Sequence, residues 1–246
     1  LPIGICGLQL NSVAFKIVLD ENNAMKASNS HDVWLNRVEV QLPNSTKLFH
    51  IQNWKISHGS HVLVQGPSGC GKTTLLHLIA GLFQPSAGDV NIGELNLKNL
   101  SEARRCDLRR EKIGVVFQKL NLLERLTVRE NLELLMSSQS KNDLSAHSNL
   151  VKDALKRVRM SDRLEDRCSY LSLGEQQRVA VARVLAQQPE IILADEPTSS
   201  LDLSNAEFVI EALKDAARGR TLIVVSHDER IASHFTQVLP FAEITA

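Results

Sequence analysis

Regular alternation of apolar and polar residues begins after His31. Val38, Val40 and Leu42 alternate with polar neighbours, the period-two pattern of a half-buried strand, and Pro43-Asn44 stops it. Leu48 to Ile56 repeats the pattern and is turned by His58-Gly59. The short β-rich run at 61–65 (HVLVQ) meets a glycine-rich loop and then a helix from Lys72 to Ala80, with Gly81 positioned to end it. Residues 87–97 read as a further strand pair or hairpin arm, and 113–117 (IGVVF) as a buried strand.

The middle of the chain is different in kind. Thr127 to Met136 and Asn149 to Met160 have helical spacing, joined by the polar, turn-rich SQSKNDLSAH at 138–147. Val151, Leu155 and Val158 mark the apolar face of the second helix. Further on, Ser172 and Glu175 have the spacing of a capping box at the start of another helix. An apolar strand at 191–195, a helix from Asn205 to Ala216, the strand TLIVV at 221–225 and a helix near Glu229 to His234 complete the pattern. Apolar strands alternating with helices predict an α/β fold with a mainly parallel sheet covered on both faces. The helices of the middle form an insertion over about 119–188.

Residues 1–30 carry no usable period and are expected to be a loosely ordered extension of unknown purpose. The chain begins at Leu, which fits a truncated, processed or unusually initiated end. Its opening LPIGICGLQLNSVAF is interrupted by Gln9 and Asn11 and has no basic leader, so it does not read as a signal peptide. No apolar run approaches the roughly 20 residues that span a bilayer, so a membrane role is expected to come through a partner, with no direct insertion.

Composition narrows the function classes. The 246 residues suffice for one large domain or two small ones. Lys plus Arg and Asp plus Glu are 28 each, and aromatic content is 4%, which argues against a broad nucleic-acid footprint or a base-stacking platform. The four cysteines, Cys6, Cys70, Cys106 and Cys168, include no C-x-x-C pair and no matching histidine spacing. That pattern argues against a disulfide framework or zinc site and suits a reducing, cytoplasmic compartment.

Three motifs carry chemistry. GPSGCGKT at 66–73 fits the G-x-x-x-x-G-K-T template, between an apolar strand and a helix. Its glycines Gly66, Gly69 and Gly71 let backbone N–H groups wrap phosphates without Cβ clashes, and Pro67, Ser68, Cys70 and Thr74 belong with them to the expected nucleotide-binding set. Lys72 reaches the β- and γ-phosphates, and the Thr73 hydroxyl suits magnesium. IILADE at 191–196 ends a buried strand in two acids: Asp195 would hold the metal and Glu196 polarise the attacking water. His227, just after the strand at 221–225, is a third candidate. Gln118, just after the strand at 113–117, reads equally as a loop amide or as a metal or water contact.

Taken in order, these segments resemble the nucleotide-binding domain of ATP-binding cassette (ABC) transporters from about residue 31 to 240. GPSGCGKT is similar to the Walker A loop, Gln118 in VVFQ to the glutamine loop, and LSLGE at 171–175 to the signature LSGGQ. IILADE is similar to Walker B, Ser200-Leu201-Asp202 to the D-loop, and His227 to the switch histidine. GPSGCGKTT, NLLERLTVREN and ADEPTSSLD most resemble the subgroup of lipoprotein-release, macrolide-export and cell-division ATPases. The resemblance implies a P-loop NTPase fold of ABC type over 31–246, with an antiparallel β subdomain and a helical subdomain beside the parallel sheet.

It also implies ATP and Mg2+ as cofactors and transport-coupled ATP hydrolysis, with Glu196, His227, Lys72 and Gln118 catalytic and Thr73, Gln118 and Asp195 toward the metal. Two copies pair head to tail in the family, so Ser172 and Gly174 would meet the partner's γ-phosphate and Asp202 would line the interface. Implied partners are a second copy of the chain and an integral membrane permease, at the cytoplasmic face of the cell membrane. A nucleotide-gated regulatory ATPase without cargo is the alternative. Chromosome-organising ATPases share the motifs but separate them with a long coiled coil, and no sustained heptads occur here.

Two departures stand out. Leu173 replaces the signature's first glycine, and the adenine-stacking aromatic of the family falls near Leu42. Phe49 and Trp54, on the next strand, read as core residues. Cys70 in the phosphate loop reads either as a small residue filling a tight turn or as a reactive thiol.

Overall fold

The computed structural model describes residues 31–41, 47–136, 144–199 and 201–245. The expected extension at 1–30, the stop at Pro43-Asn44, Leu42 and Ser200 lie outside these residues.

Five parallel strands form the central sheet. They are β3 (His61–Gln65), β6 (Ile113–Val116), β7 (Ile191–Asp195), β8 (Thr221–Ser226) and β9 (Gln237–Pro240), in the order β6-β7-β8-β3-β9. A second, antiparallel sheet holds β1 (Val33–Gln41), β2 (Lys47–Ile56), β4 (Ala87–Ile92) and β5 (Leu95–Asn96), in the order β2-β1-β4-β5.

The parallel strands are apolar without alternation because both their faces are covered. Leu63, Ile192, Ala194, Leu222 and Val224 face one core, shared with α3 (Val128–Met136), α4 (Leu144–Arg157), α5 (Leu173–Gln187) and α6 (Leu203–Ala216). Their neighbours Val62, Val64, Ile191, Leu193, Ile223 and Val225 face the other, shared with the antiparallel sheet, α1 (Lys72–Ile79) and α2 (Glu102–Lys112). Successive residues of one strand thus feed two cores, as the period of two requires. A short helix, α7 (Phe241–Ile244), closes the chain.

Between β6 and β7 the chain is helical, through α3, α4 and α5. Gly114 lets α5 come close to β6: a Cβ there would lie 2.5 Å from a Val184 methyl and 2.7 Å from the Pro189 ring. Val151, Leu155 and Val158 form the buried face of their segment as expected.

Three expectations need correction, and two elements were not expected at all. The last four residues of the polar linker at 138–147 are the first turn of a helix that starts at Leu144. That helix also ends at Arg157, short of Met160, where Arg159 takes a left-handed φ of 56°. The segment Glu229–His234 is a 3-10 helix, not an α-helix. Helix α2 and strand β9 had no signal in the sequence pattern. Of α2 only Leu108 is buried, so no apolar stripe marks it, and β9 is a four-residue edge strand ending in proline.

Candidate nucleotide site

The functional side chains gather at the carboxyl edge of the parallel sheet, where loops leave β3, β6, β7 and β8. The loop after β3 is tied to the neighbouring strand end by the Gly66 N–H, which donates to Ser226 O at 3.4 Å. It then turns so that Cys70 N–H meets Pro67 O at 3.4 Å. Gly71 caps α1 with φ 114°, and a Cβ there would lie 2.8 Å from the ring of Phe49. Both facts restrict that position to glycine. No side chain caps α1, so its first N–H groups are left for a ligand. Pro67, Ser68, Gly69 and Thr73 are exposed, whereas Gly66, Cys70, Gly71 and Thr74 are half-buried.

Lys72 is buried, and its ammonium turns back on the loop. Nζ donates to Gly66 O at 2.7 Å and Pro67 O at 3.0 Å, and lies 3.3 Å from Glu196 Oε1. The Thr73 hydroxyl donates to Asp195 Oδ1 at 3.2 Å. This pair joins the start of α1 to the end of β7 and assembles two hard oxygen donors, the chemistry that Mg2+ prefers.

Glu196 follows β7 in a left-handed conformation, φ 46°, with its N–H bonded to Val225 O at 2.9 Å. Its carboxylate is fully engaged. Ser226 Oγ donates to Oε2 at 2.8 Å, the His227 N–H to Oε2 at 3.3 Å, and His227 Nδ1 lies 2.9 Å from Oε1. Burial pushes its pKa up, but hydrogen bonds from His227 and Ser226, with Lys72 nearby, more than offset this and hold it below the usual glutamate value. Asp195 goes the other way: burial raises it, Thr73 opposes, and the neighbouring Glu196 charge adds to the rise.

Gln118 is exposed, two residues beyond the end of β6 and one strand over from Asp195. The chain after it is braced from α5. Buried Arg183 donates to Leu120 O at 2.9 Å and Asn121 O at 2.8 Å. Buried Asn131 accepts from the Leu123 N–H at 2.8 Å and donates to Thr127 O at 2.9 Å.

The signature segment stands apart. Ser172 caps α5 in a complete capping box with Glu175, and its hydroxyl donates to Glu175 Oε2 at 2.8 Å. Those bonds hold the Glu175 carboxyl below its ordinary value. Leu173 is 52% exposed, and a Cβ on Gly174 would find nothing closer than Leu201 at 3.9 Å. Among the described residues, no hydrogen bond or ion pair joins Ser172 or Gly174 to Lys72, Thr73, Asp195, Glu196 or His227. Asp202 caps α6, accepting from the Asn205 N–H at 2.9 Å, and Arg178 of α5 reaches the same Asn205 at 2.9 Å. The start of α6 at Asp202 is therefore tied to α5.

Sequence reasoning did not single out Ser226, Thr198 or Asp228. Ser226 accepts the Asp228 N–H at 3.0 Å while serving Glu196, and Thr198 Oγ1 donates to Asp228 Oδ2 at 2.9 Å. Ser226 was findable as the residue before His227. Arg183 left no local signal, since its role is set by a loop about sixty positions away. Phe49 and Trp54 are core residues as expected, 5% and 8% exposed. Phe49 packs edge-on against Phe241, with ring centroids 5.4 Å apart. Cys70 is half-buried and packs against that core.

A strand–glycine loop–helix unit beside strand-end acids on a parallel sheet defines a nucleotide-binding P-loop domain. The chain belongs to the ABC transporter family, which matches residues 49–199. It is 38% identical over 192 residues to the lipoprotein-releasing system ATP-binding protein LolD of Legionella pneumophila (strain Lens), covering 76% of this chain and 83% of that one. An ABC transporter ATP-binding protein of Mycobacterium tuberculosis is 38% identical over 185 residues, 75% of this chain. The chain spans only 56% of that relative's length, little more than half.

Among solved structures, the dimeric post-hydrolysis state of the ATP-binding cassette MJ0796 bound to ADP and Pi has a TM-score of 0.77 and 33% identity, covering 84% of this chain and 92% of that one. The cbiO1 protein of Clostridium perfringens, part of the ABC transporter complex cbiONQ, has a TM-score of 0.71 and 25% identity, covering 81% of this chain and 80% of that one. The fold is thus a P-loop NTPase fold of ABC type. Among the described residues, no helix is long and apolar enough to cross a membrane.

Proposed function

We propose that the chain is the ATP-binding and ATP-hydrolysing subunit of an ABC transporter. In this reading it works as a head-to-tail homodimer at the cytoplasmic face of a membrane and drives an integral permease. One observation carries the proposal: Lys72, the Thr73–Asp195 pair and the Glu196–His227 pair converge at one sheet edge beside an uncapped helix start.

The loop N–H groups and Lys72 hold the β- and γ-phosphates of ATP, and Thr73, Asp195 and Gln118 are the residues toward Mg2+. That ion, when bound, neutralises charge on the phosphate oxygens. Glu196 accepts a proton from the attacking water as the water oxygen bonds to the γ-phosphorus and the bond to the β-phosphate oxygen breaks. ADP and phosphate result. His227, held on the Glu196 carboxylate, orients that carboxylate and faces the γ-phosphate.

Ser172 is exposed, Gly174 is half-buried with open space where a Cβ would stand, and neither is bonded to its own chain's hydrolytic group, which favours their use by a second copy. The capping box presents that helix start in one conformation. Helices α3 and α4, in the helical insertion of about 119–188, are the surface for the permease, with Gln118 and the loop braced by Arg183 as the connection. Similarity to LolD, a lipoprotein-releasing system protein, supports the subgroup, while cargo is a property of the membrane subunit.

The test is phosphate release by the purified chain in ATP and Mg2+. Glu196→Gln should retain ATP binding and lose about 100-fold or more in turnover, the range for loss of a general base. Full turnover in that variant would remove Glu196 from its role.

A further inference from the structure

At the opposite end of the parallel sheet from Asp195, three side chains distant in sequence converge. His31 precedes β1, His58 lies in the turn between β2 and β3, and Glu190 precedes β7. One ligand atom from each lies within 4.8 Å of the others. Glu190 adjoins the first residue of β7 and Asp195 is its last, so the cluster takes no part in the nucleotide chemistry.

Backbone contacts fix these positions. The carboxylate of Asp32, next to His31, accepts the His58 N–H at 2.8 Å. In the same turn, Gly59 N–H donates to Thr221 Oγ1 at 3.2 Å, and Ser60 O accepts from Leu222 at 2.9 Å. Glu190 N–H donates to Lys112 O, and Glu190 O accepts from Thr221, both at 3.0 Å. The two imidazole rings stand 5.3 Å apart, tilted by 49°, and all three residues are half-buried.

His58 Nδ1 is buried and has no hydrogen-bond partner. A buried polar atom in that condition calls for an explanation. Charge pairing between Glu190 and His31 would account for two members of the cluster and leave His58 without a role. A shared cation engages all three.

The geometry points to a transition-metal site of the zinc class formed by His31, His58 and Glu190. Two imidazole nitrogens and a carboxylate oxygen select Zn2+ and its first-row neighbours over Mg2+ or Ca2+. With metal–ligand bonds of about 2.0–2.2 Å, tetrahedral donors lie about 3.4 Å apart. The three donor atoms, within 4.8 Å of one another, stand near that spacing, and water would complete the shell. Lys112 bears on His31 with a positive charge, which Glu190 counters. Positions 31, 58 and 190 have no motif spacing, so this site is invisible in the sequence. Bound metal would pin the antiparallel sheet to the amino-terminal edge of the parallel one, stabilising the fold without entering hydrolysis.

The experiment is a chelator-buffered Zn2+ titration of the untagged full chain in excess Mg2+, followed by thermal melting. The wild type should bind one Zn2+ with a dissociation constant near or below about 1 μM and melt at a higher temperature when loaded. His31→Ala/His58→Ala and Glu190→Gln should each bind at least about tenfold more weakly and lose the thermal gain. Cys106→Ser, which removes an exposed thiol, should bind as the wild type does. Far-UV circular dichroism and ATP binding establish that each variant is folded, and Glu190→Gln, close in shape, decides the matter if the histidine variant fails this check. Absence of binding by the wild type, unchanged binding in a folded variant, or loss in Cys106→Ser would overturn the site.

Discussion

The ammonium nitrogen of Lys72 lies 3.3 Å from Oε1 of Glu196, with both side chains buried. The same Oε1 is 2.9 Å from His227 Nδ1. The proposed phosphate grip and the proposed water-activating acid therefore neutralise each other in the free chain. Arriving phosphates would compete for the ammonium, releasing the carboxylate only when there is a nucleotide to hydrolyse.

Lys72→Ala should weaken ATP binding by roughly 10- to 150-fold, the equivalent of losing one charge-assisted hydrogen bond worth about 1.5–3 kcal/mol. Titration with a fluorescent ATP analogue measures this. Unchanged affinity would mean that the lysine stays on Glu196 and never reaches the phosphate.

The two acids at the end of β7 should respond to pH with opposite signs. Burial raises Asp195, so its contribution to stability is full below the unfolded value and is lost as pH rises through the folded one. At pH 7, above the unfolded value, burying this carboxyl is therefore a net cost. Asp195→Asn, whose carbonyl still accepts from Thr73, should raise the melting temperature there, by an amount that shrinks as pH falls. Glu196 is held low, so its contribution is present above the unfolded value and is lost as pH falls through the folded one. Glu196→Gln should lower the melting temperature at pH 7. Melting curves of both variants from pH 4 to 8 separate the signs, and a common direction would contradict the assignment.

Leu173 should be tolerated. Its side chain is 52% exposed at the first position of α5, and Ser172 and Gly174 keep the hydroxyl and the open space on either side. Leu173→Gly should change saturating ATPase activity by less than about tenfold, under roughly 1.4 kcal/mol in the barrier. A larger gain would show that the leucine obstructs the opposing nucleotide.

Discrimination between ATP and GTP should be weak. Phe49 is buried edge-on against Phe241, and Trp54 is buried as well, so neither offers a ring face to a base. Without a stack worth about 1–3 kcal/mol, kcat/KM values for the two nucleotides should lie within roughly tenfold. A strong ATP preference would reveal an unrecognised base contact.

Local motifs made much of this legible in the sequence. Gly66 to Thr73, Asp195-Glu196 and His227 each sit at a strand end with a recognisable spacing, and the capping box at Ser172 needs only four residues. Contacts between distant segments were not legible. Nothing near Lys72 predicts that its ammonium rests on Glu196, and nothing near Arg183 predicts that it braces the loop after Gln118. Helix α2 was missed because Leu108 alone of its residues is buried, so no apolar stripe marks it; its signals are the Ser101 cap and pairs such as Glu102 with Arg105 and Arg109. The helix beginning at Leu144 was cut short because its first turn is polar enough to pass for a linker.

The central claim is that each ATP is shared between one copy's phosphate loop and another copy's Ser172 and Gly174. Sedimentation of the Glu196→Gln chain, in which bound ATP persists, tests it most directly. The account predicts monomers without nucleotide and dimers with ATP. It also predicts that adding Ser172→Arg abolishes the dimer while each monomer binds ATP as before. A dimer that survives Ser172→Arg, or a monomer that loses ATP with it, would contradict the shared site.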